Sequence, residues 1–172
     1  MHVLVATDGE LDPGAAAEFA VALSAGDPIS VLTVIEIPRR LLQDLRGVMG
    51  EQAPADVDRD VEYVDTPTAS SGTPRGWPGD DEMISRYLES KKIEYTQPVV
   101  DAIRVRGGEA SGIVLEGENA ANAILEHVAS DDVGALIIGS HGQGVFQGLL
   151  GSTGTKLVRR APAPVVLIRS AA

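Results

Sequence analysis

The chain has no cysteine among its 172 residues. That excludes disulfides, thiolate catalysis and cysteine-based zinc sites, and it fits a reducing compartment. Aromatic residues make up only 3%, so the stacking platforms that hold single-stranded nucleic acid are missing. Cations are scarce as well. Lys and Arg total 14 against 25 Asp and Glu, a net charge of −11. Such a field repels nucleic-acid backbones and anionic membranes, so we expect neither as a partner. No uninterrupted apolar run approaches bilayer-spanning length. The chain opens Met1-His2-Val3-Leu4-Val5-Ala6 without a basic segment before the apolar residues, which reads as a strand rather than a secretory leader. The expectation is a soluble cytoplasmic protein.

What is present is 44% apolar residues, enough for a core in a single domain of this length. Met1 to Ala6 is predicted as a buried strand ended by Thr7-Asp8-Gly9. Asp12-Pro13 signals a helix start, with Asp as N-cap and Pro in the first turn. Ala16, Phe19, Ala20 and Leu23 then recur at helical spacing up to Ala25, and Gly26 stops the helix. Ile29 to Ile37 is a β-branched second strand. Strand, helix and strand in so short a span predict a right-handed βαβ unit and a parallel sheet.

Residues 38 to 80 are Pro-rich and irregular, an insertion in the domain whose Leu41, Leu42, Leu45 and Val48 can form one short amphipathic helix. A lid and a surface excursion both fit it. Asp80-Asp81 opens a longer helical pattern with Ile84, Leu88, Tyr95, Val99 and Ile103 on one face, in which Pro98 predicts a kink or two abutting helices. Gly107-Gly108 ends it. Ser111 to Glu116 reads as a strand, Asn119 as the cap of a helix running to Ser130, and Ala135 to Ser140 as a fourth strand. Ser152 or Thr153 is expected to cap a helix through Arg160, followed by a last strand from Val165 to Ile168.

The chemistry concentrates at strand ends. Gly139-Ser140-His141-Gly142 follows an apolar strand, and Gly151-Ser152-Thr153 opens the last helix. Glycine admits close approach of backbone N–H groups, and a helix start adds unpaired donors and a positive dipole end. Together they describe an anion site suited to a nucleotide phosphate. Lys156, Arg159 and Arg160 follow; complementing the C-terminal end of that helix is their simpler role. Asp8 either bonds a ribose hydroxyl or a Mg²⁺-phosphate, or caps the turn before the first helix. His141 either donates to phosphate or bonds its own loop. His127 reads as a packing residue.

Two familiar motifs fail. Gly142-Gln143-Gly144 lacks the third glycine of a dinucleotide fingerprint, since Gln147 stands there, and Lys156 follows Thr155 rather than the glycine of a Walker A loop. The three histidines have no metal-ligand spacing, and no serine has a histidine-carboxylate partner set. No catalytic constellation is visible.

With these residues in view, the chain resembles the universal stress protein family. The resemblance rests on Val3 to Gly9, Val31 to Val34, Ala123-Ile124-Leu125, Leu136 to Gly142, Gly151-Ser152, Lys156 and Val158 to Val165. It implies a doubly wound, Rossmann-like α/β fold with a five-stranded parallel sheet in the order 3-2-1-4-5. It also implies an ATP-binding regulatory or stress-response module, with or without Mg²⁺, hydrolysing ATP slowly if at all. The family's phosphate motif is Gly, two residues, Gly, nine residues, Gly and then Ser or Thr. It maps to Gly139, Gly142, Gly151 and Ser152, with Thr153 adjacent. Thr7 and Asp8 end the first strand of the implied site, Val34 receives adenine, and Ile138 lines the same pocket. The last strand, Val165 to Ile168, is the implied homodimer edge. Here only eight residues separate Gly142 from Gly151. Counting from Gly144 to Gly154-Thr155 restores nine but puts His141 where the first glycine belongs. A dimeric interaction domain that binds no nucleotide is the alternative this departure favours.

Overall fold

The computed structural model describes residues 1–37, 80–140 and 151–169. Two compact units divide the chain: Met1–Ile37 with Ser85–Ala172, and Pro38–Ile84. Everything below concerns the first, plus the few helical residues that lead into it. The expected short helix at Leu41 to Val48, the rest of the insertion, and the whole of 141–150 with His141, Gly142 and Gly144 lie outside the described residues.

In chain order the elements are β1 (Val3–Ala6), α1 (Pro13–Ser24), β2 (Ile29–Ile35), α2 (Asp80–Val105), β3 (Ala110–Glu116), α3 (Ala120–Ser130), β4 (Ala135–Ser140), α4 (Ser152–Arg160) and β5 (Val165–Arg169). The five strands form one sheet in the order β3-β2-β1-β4-β5, as expected. Every pairing is parallel: Val5 lies opposite Val31 on one side and Ile137 on the other, Leu32 opposite Ile113, and Ile138 opposite Leu167. A central strand flanked on both edges and faces must be apolar throughout, and all four residues of β1 are buried.

Because side chains alternate along a strand, β1 divides its residues between two cores. Val3 and Val5 join Val31, Ile137 and the helices α1 and α2 through Ala16, Ala20, Val99 and Ile103. Leu4 and Ala6 join Leu32, Leu136 and Ile138 with α3 and α4, through Ile124, Val128 and Leu157.

Local chemistry explains the helix ends. Asp12 caps α1 by accepting from the Ala15 N–H at 2.8 Å. After Ser24, Ala25 and Gly26 take positive φ (53° and 94°), which places Gly26 as the stop the sequence predicts. α2 closes with a Schellman pair, Gly107 N–H to the Arg104 carbonyl and Gly108 N–H to that of Ile103, made at φ +80° for Gly107.

Several expectations need correction. β1 starts at Val3: the Met1 amine pairs with Asp27 and the Ser24 carbonyl, while the His2 ring reaches the Asp131 carbonyl and Ser30 Oγ. The His2 carbonyl still accepts from the Gly134 N–H at 2.8 Å, so the chain joins its neighbour one residue ahead of the strand. β2 ends at Ile35, two residues early. Phe19 is half exposed; α1 buries Ala16, Ala17, Ala20 and Ser24, small side chains that let it lie close to the sheet. Pro98 does not divide α2, which runs through it as one helix. The proline ring faces solvent, where water can take the carbonyl that its missing N–H leaves unpaired, while Thr96, Val99 and Val100 on the buried side hold the helix down. Ile84, Leu88 and Tyr95 are only partly buried, so α2 seats itself mainly through its C-terminal half. Neither Ser152 nor Thr153 caps α4: Gly151 is the N-cap, and Ser152 is the first helical residue.

Candidate functional site

Parallel sheets of this order leave a crevice beyond the C-terminal ends of the strands, where the order reverses between β1 and β4. A cavity of about 280 Å³ opens there. Three strand tips contribute: Thr7 and Asp8 after β1, Leu32 and Val34 from β2, Ile138 and Gly139 from β4. Two helix starts close the other side, α3 with Ala120 and Ile124, and α4 with Gly151 to Gly154 and Leu157.

The turn after β1 is held by its own side chains. Thr7 N–H extends the ladder to the Leu32 carbonyl at 2.9 Å. Thr7 Oγ1 accepts from the Gly9 N–H at 3.0 Å, and Asp8 Oδ1 accepts from the Glu10 N–H at 3.2 Å. Of the two roles open to Asp8, the turn-stabilising one is therefore realised, with its carboxylate at the cavity wall. The cap of α1 itself belongs to Asp12.

The two helix starts differ. At α3 the Asn119 side chain accepts from the Asn122 N–H at 3.0 Å. At α4 the N-cap is Gly151, and among the described residues no side chain makes a cap hydrogen bond to the helix. The first intrahelical bond runs from Thr155 N–H to the Gly151 carbonyl at 2.9 Å. The N–H groups of Ser152, Thr153 and Gly154 thus precede the helical ladder, and all three residues line the cavity. Their partial positive charge is the attraction this wall offers an anion. Among the described residues lining the cavity, Asp8 is the one ionisable side chain. Arg159 and Arg160 sit exposed in the last turn of α4, where they complement its C-terminal end.

The remaining wall is apolar. Leu32, Ile138 and Leu157 are 0, 4 and 2% exposed, and with Val34 and Ile124 they form a slot suited to a flat, weakly polar ring. Among the described residues, no group of three His, Asp or Glu could hold a metal ion.

Of the residues singled out in the sequence, Thr7, Asp8, Val34, Ile138, Gly139, Gly151, Ser152 and Thr153 all line this one cavity. Gly142 lies outside the described residues. Lys156 and His127 do not line the cavity; His127 stands in the last turn of α3, with Nε2 3.4 Å from the Asp131 carboxylate. Sequence reasoning missed Ala6, Leu32, Ala120, Ile124, Gly154 and Leu157. Strand parity could have found Leu32, two residues before Val34 on the same face. Ile124 and Leu157 carry no signal beyond that of any buried helix position.

A parallel sheet in this order, covered by helices on both faces and open at its switch point, defines a doubly wound α/β fold as a class. The chain belongs to the universal stress protein family, whose family model matches residues 1–169. Solved structures agree on the fold. A universal stress protein from Archaeoglobus fulgidus is 18% identical with a TM-score of 0.58, covering 98% of both chains. A universal stress protein in complex with cAMP is 14% identical with a TM-score of 0.54, covering 99% of this chain and 98% of that one. The Archaeoglobus fulgidus protein in complex with dAMP is 19% identical with a TM-score of 0.52, covering 98% and 97%. No curated protein matches the chain. Among the described residues, no helix is long and apolar enough to cross a membrane.

Proposed function

We propose that this chain binds an adenine nucleotide, ATP or a close relative, in the cavity at the sheet's switch point, and acts as a cytoplasmic regulatory or stress-response module. One observation carries the reading: the helix that begins at the cavity, α4, is left uncapped by Gly151. An N-cap side chain would satisfy those donors internally; a phosphate satisfies them from outside. The two similar structures that hold cAMP and dAMP support an adenine ligand.

In this reading the base lies in the slot of Val34, Leu32, Ile124 and Ile138, and the ribose sits by Thr7 and Asp8. The phosphates meet the Ser152 and Thr153 N–H groups and hydroxyls, with Gly139 leaving room for them; the family's phosphate motif assigns Gly142 to the same role. A Mg²⁺ bound with a triphosphate would offset the repulsion between phosphate and Asp8. Among the described residues that line the cavity we assign no general base or nucleophile, and we take any turnover to be slow. The strand β5 closes one edge of the sheet, with Leu167 42% exposed. We pair it with the same strand of a second copy, giving a homodimer. We treat the whole chain as one such domain carrying an insertion at about 38–80.

The eight residues between Gly142 and Gly151 favour a second reading, a dimeric interaction domain without nucleotide. A loop one residue short displaces its donors on the scale of the ~3.8 Å between successive Cα atoms. Thermal melting separates the two. Ligand at about a hundred times its Kd adds roughly 2.7 kcal/mol of stability. A rise in Tm with millimolar ATP or AMP, with and without Mg²⁺, is the expected result. An unmoved Tm, together with no excess absorbance at 260 nm in the purified protein, leaves the interaction domain standing.

A further inference from the structure

The turn that carries Thr7 and Asp8 is touched from two sides. One side is the cavity. The other is α2, which packs on the opposite face of the sheet through Val99, Val100 and Ile103. The contact is specific. Gly9 holds φ +94°, and a Cβ built there would stand 2.9 Å from Cδ1 of Tyr95 and 3.4 Å from its Cε1. The ring therefore lies flush against the backbone of the turn, leaving no room for a side chain.

Tyr95 is itself fixed from below and beside. The next residue, Thr96, is 2% exposed and donates its hydroxyl to the Lys92 carbonyl at 2.7 Å. It packs so tightly on β3 that a Cβ at Gly112 would fall 2.4 Å from its Oγ1. One turn back, the Lys91 ammonium stands 5.1 Å from the Tyr95 ring centroid and 2.6 Å from the Glu94 carboxylate. A cation over an aromatic face adds to the ring's hold on its position. The residues of α2 before Tyr95 include no buried ones among those described, and Thr96, directly after it, is the first.

We infer that Tyr95 is a positioning residue for the nucleotide site: its ring props the Thr7–Glu10 turn and so fixes where the Asp8 carboxylate stands. Within the turn, the bonds from Gly9 N–H to Thr7 Oγ1 and from Glu10 N–H to Asp8 Oδ1 are local, and a glycine at positive φ adds backbone freedom. A packed ring behind such a turn removes that freedom before ligand arrives, which strengthens binding without touching the ligand. The binding half of this inference rests on the nucleotide reading above; the structural half does not.

The test uses the full chain as wild type, Tyr95→Phe, Tyr95→Leu, Tyr95→Ala, Asp8→Ala and the Asp8→Ala/Tyr95→Ala pair. Amide hydrogen exchange at Gly9 and Glu10 reads the prop directly. Exchange there should rise about tenfold or more in the Leu and Ala variants, with Val5 and Ile137 in the core unchanged and the Phe variant like wild type. Titration calorimetry with AMP and with ATP–Mg²⁺ reads the consequence. Tyr95→Ala should weaken binding roughly tenfold and Tyr95→Phe by less than about twofold, and the double variant should bind no worse than Asp8→Ala alone. If the Ala variant does not fold, the Leu variant carries the comparison. Unchanged exchange at Gly9 and Glu10 overturns the prop. Additive losses in the double variant overturn its action through Asp8. If wild type takes up no nucleotide while exchange still rises in the Leu variant, the nucleotide reading falls and the prop stands.

Discussion

Two helices begin at the cavity, and they begin differently. α3 starts with Asn119, whose side chain turns back onto the Asn122 N–H. α4 starts with Gly151, which has nothing to offer its own first turn. Away from the cavity, α1 follows the first pattern through Asp12. A side-chain cap is worth about 1 kcal/mol and is easily encoded by a single Ser, Thr, Asp or Asn. Here hydroxyls stand at Ser152 and Thr153, one and two positions too late to serve as the cap. The comparison teaches that, among the described residues, a side-chain cap has been withheld at a helix start that lines the cavity, the pattern expected where a ligand completes the structure.

The contrast can be pressed hardest at the anchors. Leu157 seats α4 on the sheet at 2% exposure. Leu157→Ala should cost about 2–5 kcal/mol in urea denaturation and should abolish nucleotide binding, because the uncapped start cannot hold its place without that anchor. A variant that stays within 1 kcal/mol of wild type, an order-of-magnitude bound, would mean α4 is held some other way. Next in size is the turn facing both helices. Gly9→Ala forces a Cβ into the Tyr95 ring at positive φ, and a drop of about 1–3 kcal/mol is expected from the same measurement. Asn119→Ala comes third. It should lower stability by about 1 kcal/mol and leave nucleotide affinity nearly unchanged, since α3 spends its donors on its own cap. Smallest in stability and sharpest in meaning is Gly151→Asp. A Cβ at Gly151 meets nothing within 4 Å, so the carboxylate can cap α4. Thermal melting should show a gain of a few tenths of a kcal/mol, while calorimetry shows phosphate binding lost to competition and repulsion. A Gly151→Asp variant that binds ATP as wild type does would remove the meaning assigned to the bare helix start.

Lys91 supplies a pH check on the neighbourhood of Tyr95. The hydrogen bond to Glu94 leads the causes that raise the Lys91 pKa above its ordinary value. A raised ammonium pKa means that whatever this group contributes is fully present below the unfolded value and fades as pH climbs through the folded one. The contact with Tyr95 is therefore complete at neutral pH.

Much of the architecture was legible in the chain. The βαβ opening, the alternation of elements, the Asp12 and Asn119 caps and the Gly107-Gly108 stop follow from local chemistry, which acts over a few residues and leaves a local mark. Phe19 and Pro98 show where such reading fails. Helical spacing cannot tell a small-residue face from a large one, and Ala16, Ala17 and Ala20 lie on the side that meets the sheet. Nor can a lone proline reveal that its ring will face water in a helix pinned on both sides. At the site, glycines and hydroxyls after strands marked Gly139, Gly151, Ser152 and Thr153. The apolar half of the cavity, Leu32, Ile124 and Leu157, had no mark to distinguish it from core.

Sequence alone determined the parallel α/β sheet, its buried central strand and the collection of phosphate-type donors at strand ends, because period, turn residues and caps are short-range properties of neighbouring side chains. Only the tertiary structure decided that tips far apart in the chain share one cavity, that α4 starts uncapped there, and that Tyr95 bears on the turn from behind. Those facts depend on which strand lies beside which, and on helices packed across opposite faces of one sheet.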